Sequence, residues 1–137
     1  MGILDKSFQH MNVLEKSLNA SWLRNEVIAN NMANVNTPNF KRSTVKFESI
    51  LKDAWSNDTV EGKRTHQKHL PVGNVGMDRI EPMVGKDTTS KYRKDGNNVN
   101  IDVEMANLAK NTMNFYLIRQ RISDKLRTLK IVVKDGR

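Results

Sequence analysis

Two histidines have a type and spacing that could carry chemistry. His66 and His69 stand three residues apart, which on a helix would supply half of a metal site. The residues around them are lysine, glutamine and threonine, and the segment has no helical periodicity. We therefore expect these histidines to lie in a surface loop, and we expect no metal site.

Two carboxylates, Asp102 and Glu104, are close enough in sequence to suggest a general acid and base. Such a pair needs two different environments, whereas both residues would lie in the first turn of one helix. Attraction to the positive end of the helix dipole explains them better. The sequence also has no cysteine, no G-x-S-x-G motif, no phosphate-binding loop and no dinucleotide-binding glycine pattern. It therefore predicts neither an enzyme nor a cofactor.

The segment ANNMANVNTPNFKR, residues 29–42, concentrates amide side chains at the end of an apolar period. Pro38 disfavours helical geometry at Thr37, so a helix should stop there, and Asn39 tolerates a left-handed backbone. A frayed helix end is one interpretation. The amides exceed what a cap needs, however, and amides both donate and accept hydrogen bonds. We therefore expect a contact surface formed by Asn30, Asn31, Asn34, Asn36, Thr37, Pro38, Asn39 and Phe40.

Two long helices must position this segment. Apolar residues recur with a period near 3.5 over residues 4–35 and again over residues 101–133, which predicts two helices that pair along their seams. Each apolar stripe is too broad for one partner to cover, and the seam positions Asn25 and Arg119 are polar. Packing of the pair into a larger helical assembly would explain both features. The seam should consist of Leu14, Leu18, Ile28, Met32, Leu108, Phe115, Ile122, Leu126 and Leu129.

The middle of the chain differs in composition from both ends. Residues 47–55 predict a short amphipathic helix, and residues 56–98 are polar and repeatedly broken by glycine and proline. A connection of that length is either disordered or ordered by a partner. The predicted fold is all-α: residues 1–37 form an N-terminal core helix, residues 38–98 a short helix with a long irregular segment, and residues 99–137 a C-terminal core helix.

The charge balance leaves a second class of function open. The 137 residues carry a net charge of +8, so a basic helical protein that binds nucleic acid or an anionic surface is an alternative. The basic residues are dispersed among acidic ones without a dense block, which is typical of a solvated surface. The first residues lack the apolar region of a signal peptide, and no apolar run approaches the ~20 residues of a membrane span.

The asparagine segment resembles the signature of the bacterial flagellar rod and hook proteins, which is close to A-N-N-x-A-N-x-x-T-P-G-Y. Asn39 stands where that signature has glycine, and Phe40 stands where it has tyrosine. DGNNVNIDVEMANLAKNTMNFYLIRQRISDKLRTLK, residues 95–130, strongly resembles the carboxy-terminal segment of the shortest rod protein of that family, and RTHQKHLP, residues 64–71, is similar to another of its segments. The signature is matched at Ala29, Asn30, Asn31, Ala33, Asn34, Thr37 and Pro38.

This resemblance implies a structural subunit of the proximal rod of the flagellar basal body. Family members pair their terminal helices in a coiled-coil-like core domain that packs into a helical tube. They travel through the flagellar type III export apparatus without a cleaved signal peptide, and their rod lies in the periplasm. The implied partners are other copies of the chain, the rod protein FlgC, the distal rod subunits, the adaptor FliE and the membrane ring, with no nucleic acid.

Overall fold

The computed structural model of the protein describes residues 3–56, 80–90 and 92–135. Two long helices dominate these ranges: α1, Ile3–Ala33, and α3, Ile101–Asp135. Between them, in chain order, lie strand β1, Ser43–Lys46, helix α2, Glu48–Ser56, and strand β2, Met83–Lys86. None of the helices in these ranges combines the length and the apolar character that a bilayer span requires.

The two long helices pack against each other, as the sequence predicts. Asn31 of α1 bonds to Glu104 of α3, and Ser21 of α1 bonds to Asn111 of α3. The helices are therefore antiparallel, because the chain runs backward along α1 as it runs forward along α3. Asn100 caps α3 by accepting the backbone N–H groups of its first turn, at 2.9 and 3.4 Å.

The expectation of an all-α fold is wrong in the middle of the chain. Strands β1 and β2 form an antiparallel pair in which Ser43 lies opposite Lys86 and Lys46 lies opposite Met83. Each strand has only four residues, too few for a period-2 pattern to stand out in the sequence. The predicted short helix is present as α2. Most of the predicted irregular segment, including His66 and His69, lies outside the described residues.

The apolar core is small. Ala20 of α1, Phe47 before α2 and Ile80 before β2 form its buried centre, and one face of α2 packs against them. Val27, Ile28 and Val99 are also buried. As many polar residues as apolar ones are buried in the described ranges, and these polar residues are Ser21, Asn31, Asn97, Asn98, Glu104 and Asn111.

Two turns with left-handed residues hold the end of α1 against the segment that precedes α3. Asn39 has a φ of 59°, in the region that the sequence predicts for it, and Gly96 has a φ of 82°. The N–H of Asn39 donates to the carbonyl of Asp95 at 3.0 Å, and Lys41 Nζ donates to the carbonyl of Gly96 at 2.7 Å. A Cβ at position 96 would lie 2.6 Å from Asn39 Oδ1, and the positive φ strains any residue other than glycine, so both features favour glycine here.

Gly96→Ala should therefore lower the free energy of unfolding by about 1–3 kcal/mol, because it adds backbone strain and displaces Asn39. Gly85→Ala is the matched control, since a Cβ at position 85 meets no atom within 4 Å. Urea unfolding followed by far-UV circular dichroism measures both variants. Equal midpoints for the two would contradict the role of Gly96.

Candidate functional site

Helix α1 ends in a turn whose carbonyl groups are bound by one amide. The N–H of Asn34 donates to the carbonyls of Asn30 and Asn31 at 3.2 Å each, which closes the helix. Beyond it, Nδ2 of Asn97 donates to the carbonyls of Asn34, Val35 and Thr37 at 3.0, 3.0 and 2.9 Å. These three carbonyls lie just beyond the end of α1, where the helix supplies no regular donors and backbone groups need partners from elsewhere. Asn97, from the other end of the sequence, provides one for this turn.

Local bonds shape the turn further. Asn34 Nδ2 donates to the carbonyl of Asn30 at 2.9 Å, and Asn34 Oδ1 accepts from the hydroxyl of Thr37 at 3.2 Å. Asn97 is itself fixed, because its Oδ1 accepts from the N–H of Val99 at 2.7 Å and its side chain is fully buried. The end of α1 and the start of α3 therefore form one polar unit.

Asn31 joins α1 to strand β1. Its Oδ1 accepts from the N–H of Ser43 at 2.9 Å, and its Nδ2 donates to the carbonyl of the same residue at 2.8 Å. This pair of bonds is the pair that a residue of a neighbouring strand would make. The side chain of Asn31 therefore covers one edge of β1, while β2 pairs with the other.

Glu104 is the central charge of the site, and its side chain is fully buried. Its Oε2 accepts from Asn31 Nδ2 at 3.1 Å, and its Oε1 accepts from Arg42 Nε at 2.5 Å. Glu104 lies in the first turn of α3, as the sequence predicts, but its main interactions are with these two residues and not with the helix dipole alone. A carboxylate at this depth is tolerated only with such pairing.

Asn98 extends the network to the second strand. Its Oδ1 accepts from the N–H of Arg42 at 2.7 Å, and its Nδ2 donates to the carbonyl of Asp87 at 2.8 Å. It thus bridges the residue before β1 and the residue after β2.

A second amide cluster lies further along the helix pair. Asn111 of α3 donates from Nδ2 to the carbonyl of Ser21 and to Oδ1 of Asn25, at 2.8 Å each. Its Oδ1 accepts from Arg24 at 3.4 Å, and Arg24 in turn pairs with Glu48 at 2.8 Å. The side-chain oxygen of the polar seam residue Asn25 therefore has a partner within the helix pair.

The residues of the predicted contact surface separate into three groups by burial. Asn31 is fully buried and its amide is used inside the chain, while Asn34 and Phe40 are half-buried. The other members are exposed: Asn30, Asn36, Thr37, Pro38 and Asn39.

The residues of the predicted seam also differ in burial. Ile28 is buried, whereas Leu126 is 54% exposed. The other members are half-buried: Leu14, Leu18, Met32, Leu108, Phe115, Ile122 and Leu129.

Sequence reasoning did not find Asn97, Asn98, Asn111 or the partners of Glu104. The available signal was the pair Asn97-Asn98, which Val99 separates from the helix cap Asn100. Amides there offer donors and acceptors to backbone groups elsewhere in the chain. In the described ranges the site offers no cluster of three histidine or acidic side chains that could hold a metal ion.

Asp87 anchors the loop that follows β2. Its carboxylate accepts from the hydroxyl and N–H of Ser90 at 2.7 and 3.2 Å, and from the N–H and hydroxyl of Thr89 at 3.1 and 3.0 Å. These bonds, those from Ser90 first, lower the pKa of Asp87 from 3.8 to about 2.

The lowered pKa of Asp87 predicts a contribution to stability that is complete above pH 3.8 and is lost as the pH falls through about 2. Nuclear magnetic resonance of the side-chain carboxyl carbon should give a midpoint near pH 2. In Asp87→Asn the corresponding part of the acid dependence of unfolding should be missing. A midpoint near the ordinary value would contradict the bonding described for this loop.

Asn31→Asp should destabilise the protein severely. It removes the donor to Glu104 and to Ser43, and it places a second carboxyl against a buried one, so we expect a loss of about 3–5 kcal/mol in the free energy of unfolding. Asn30→Asp makes the same change at the preceding, exposed position and should shift that energy by less than about 0.5 kcal/mol. Urea unfolding by circular dichroism compares them; equal losses would show that Asn31 has no special role.

A known protein family matches this chain over a range that includes most of the asparagine segment at the end of α1. The family described as "Flagella basal body rod protein" matches residues 11–41, which contain most of α1 and its turn. The curated relatives extend the similarity to nearly the whole chain.

Three of these relatives carry the description flagellar basal body rod protein FlgB. The protein of Bacillus subtilis strain 168 is 34% identical over 90% of this chain and 92% of its own length. The protein of Borrelia hermsii is 37% identical over 90% of this chain and 100% of its own length. The protein of Aquifex aeolicus strain VF5 is 31% identical over 93% of this chain and 94% of its own length. The chain thus belongs to the FlgB family of flagellar basal body rod proteins, and it is a structural component of the rod and not an enzyme.

Proposed function

We propose that this chain assembles, with other copies and with neighbouring rod subunits, into the helical tube of the proximal rod. The observation that carries the proposal is an outward apolar patch on α3. Met105, Met113, Tyr116 and Leu117 are each between 55 and 68% exposed. They lie on the side of α3 opposite Glu104 and Asn111. Together with exposed Ala109 they form what we call the α3 patch.

The α3 patch favours burial against another subunit. Met105, Ala109 and Met113 recur every four positions, and Tyr116 and Leu117 follow Met113 by three and four, so the five residues form a continuous stripe along the helix. A contiguous apolar stripe on a subunit of a known assembly is typical of an interface. Rod proteins assemble in the basal body, which supplies the neighbours that would cover it.

The seam defined above supports a coiled-coil-like pairing that is completed on assembly. In the single chain, the seam residues Leu14 and Leu18 of α1 are half-buried. On α3, Phe115, Ile122 and Leu129 are half-buried and Leu126 is exposed. Neighbouring subunits would complete their burial, as the breadth of the apolar stripes in the sequence also suggests.

The exposed members of the asparagine segment are the proposed contacts with neighbouring subunits. Asn30, Asn36, Thr37, Pro38 and Asn39 form a polar surface that the bonds of Asn97 hold in place. Asn31, by contrast, would act within its own chain. We also retain the division into residues 1–37, 38–98 and 99–137 as the organisation of the subunit.

The family relationship supports further partners. We propose contacts with FlgC, with distal rod subunits, with the adaptor FliE and with the membrane ring, after passage through the flagellar type III export apparatus into the periplasm. The alternative of a nucleic-acid or anionic-surface binding protein finds no support in the comparisons, since the relatives described above are rod proteins.

Deletion of the gene should abolish flagella, and the wild-type gene should restore them. Met113→Glu should fail to restore them, because assembly would bury an unpaired carboxylate in the α3 patch. Electron microscopy of basal bodies and swimming in soft agar measure the result. Because Met113 is 68% exposed, the unfolding of the isolated chain should not change.

Thr128→Glu is the control for this experiment. Residue 128 lies on the same helix, is exposed and is outside the α3 patch, so this variant should restore flagella. Complete flagella in the deletion strain would overturn the proposed function. Complete flagella with Met113→Glu would show that the α3 patch is not an assembly contact.

A further inference from the structure

Helix α1 has an exposed acidic face with one large aromatic side chain. Glu15, Asn19, Trp22 and Glu26 follow one another at intervals of four, three and four, so they share one side of the helix. All four are exposed, and Trp22 is 64% exposed. We call these four residues the Trp22 face. It has two carboxylates and no basic residue.

An open groove of about 440 Å³ lies between α1, β1 and α3. Val27, Ile28 and Val45 give it an apolar part, and two of these three side chains are buried. Its basic residues are Arg24, Arg42 and Lys110, and its acidic one is Glu48. We call this cavity the Lys110 groove.

Two of these cations are available to a ligand. Arg24 is occupied by both oxygens of Glu48, at 2.8 Å each. Arg42 uses Nε for Glu104, but within the described ranges its terminal nitrogens make no hydrogen bond, and neither does Lys110. The groove thus combines an apolar floor with the ammonium group of Lys110 and with the terminal nitrogens of Arg42, whose charge is balanced by Glu104.

The Trp22 face and the Lys110 groove lie on opposite sides of α1. Arg24 follows Trp22 by two residues, and each residue of an α-helix turns the direction by about 100°, so the two side chains point roughly 200° apart. A single chain cannot bring the two surfaces together. Successive copies can. A contact between two different surfaces of identical subunits repeats from copy to copy, and it builds a helical assembly where the rotation between copies does not close into a ring.

We propose that the Trp22 face of one copy docks in the Lys110 groove of the next. The indole of Trp22 would pack on Val27, Ile28 and Val45, and Glu26 would pair with Arg42 or Lys110. Buried tryptophans are among the residues that contribute most to interfaces. The opposite charges and the fit of an aromatic side chain to an apolar floor select a second copy as the occupant. This inference rests on the proposed function, because it names one of the contacts by which the rod subunit would assemble.

Disulfide cross-linking tests the contact directly, because the chain has no cysteine of its own. Asn19→Cys places a thiol on the Trp22 face, three residues before Trp22, and Asn114→Cys places a thiol in the lining of the Lys110 groove. Cells that carry only the double variant and still assemble flagella are treated with an oxidant. On a non-reducing gel the double variant should form a ladder of dimers and higher species, which each single variant lacks.

Two controls make the result specific. Asn19→Cys combined with Trp55→Cys should give no ladder, since Trp55 is exposed but does not line the groove. Adding Trp22→Ala to the cross-linking pair should weaken the ladder several-fold, whereas adding Trp55→Ala should not. Two results would overturn this contact: flagella that form without a cross-linked ladder, and a ladder that Trp22→Ala does not weaken. Neither result would affect the proposed function. Normal flagella in the gene deletion would overturn the proposed function itself.

Discussion

The structure depends on one buried carboxylate, that of Glu104. A charge removed from water must be paired and hydrogen-bonded, and the partners of Glu104 come from the other end of the sequence: Asn31 on α1 and Arg42 before β1. Asn31 in turn holds both backbone groups of Ser43. The position of α3 therefore fixes the end of α1 and the first strand at once, and each end of the chain needs the other to satisfy its polar groups.

This arrangement suits a chain with few apolar residues. The apolar core centres on Ala20, Phe47 and Ile80, and buried amides occupy much of the remaining interior. At the same time α3 exposes an apolar patch. A polar interior with specific bonds fixes the shape of the subunit, and the apolar residues left on the surface are available for neighbours. That distribution is the reverse of what a protein that functions as a lone monomer would need.

Much of this fold could be predicted from the sequence. The 3.5-residue period marked both long helices, and Asn39 was recognised as a left-handed position. Pro38 predicted a helix stop at Thr37, but α1 ends four residues earlier, at Ala33, where the turn begins. The two strands were not predicted, because four residues are too few to show a period-2 pattern. The network around Glu104 was not predicted for another reason. Arg42 and Asn31 are 62 and 73 residues away from Glu104 in the sequence, so no local pattern could show that they bond to it. For the same reason the asparagines looked like one outer surface, although Asn31 serves the interior.

A double-mutant cycle between Asn31 and Glu104 tests the central claim most directly. The free energy of unfolding is measured for the wild type, Asn31→Ala, Glu104→Ala and the double variant. If the two side chains act together, the double variant should lose about 1–3 kcal/mol less than the sum of the single losses. Losses that add to within about 0.5 kcal/mol would show that the two residues act independently, and that the ends of the chain are not joined through this interaction.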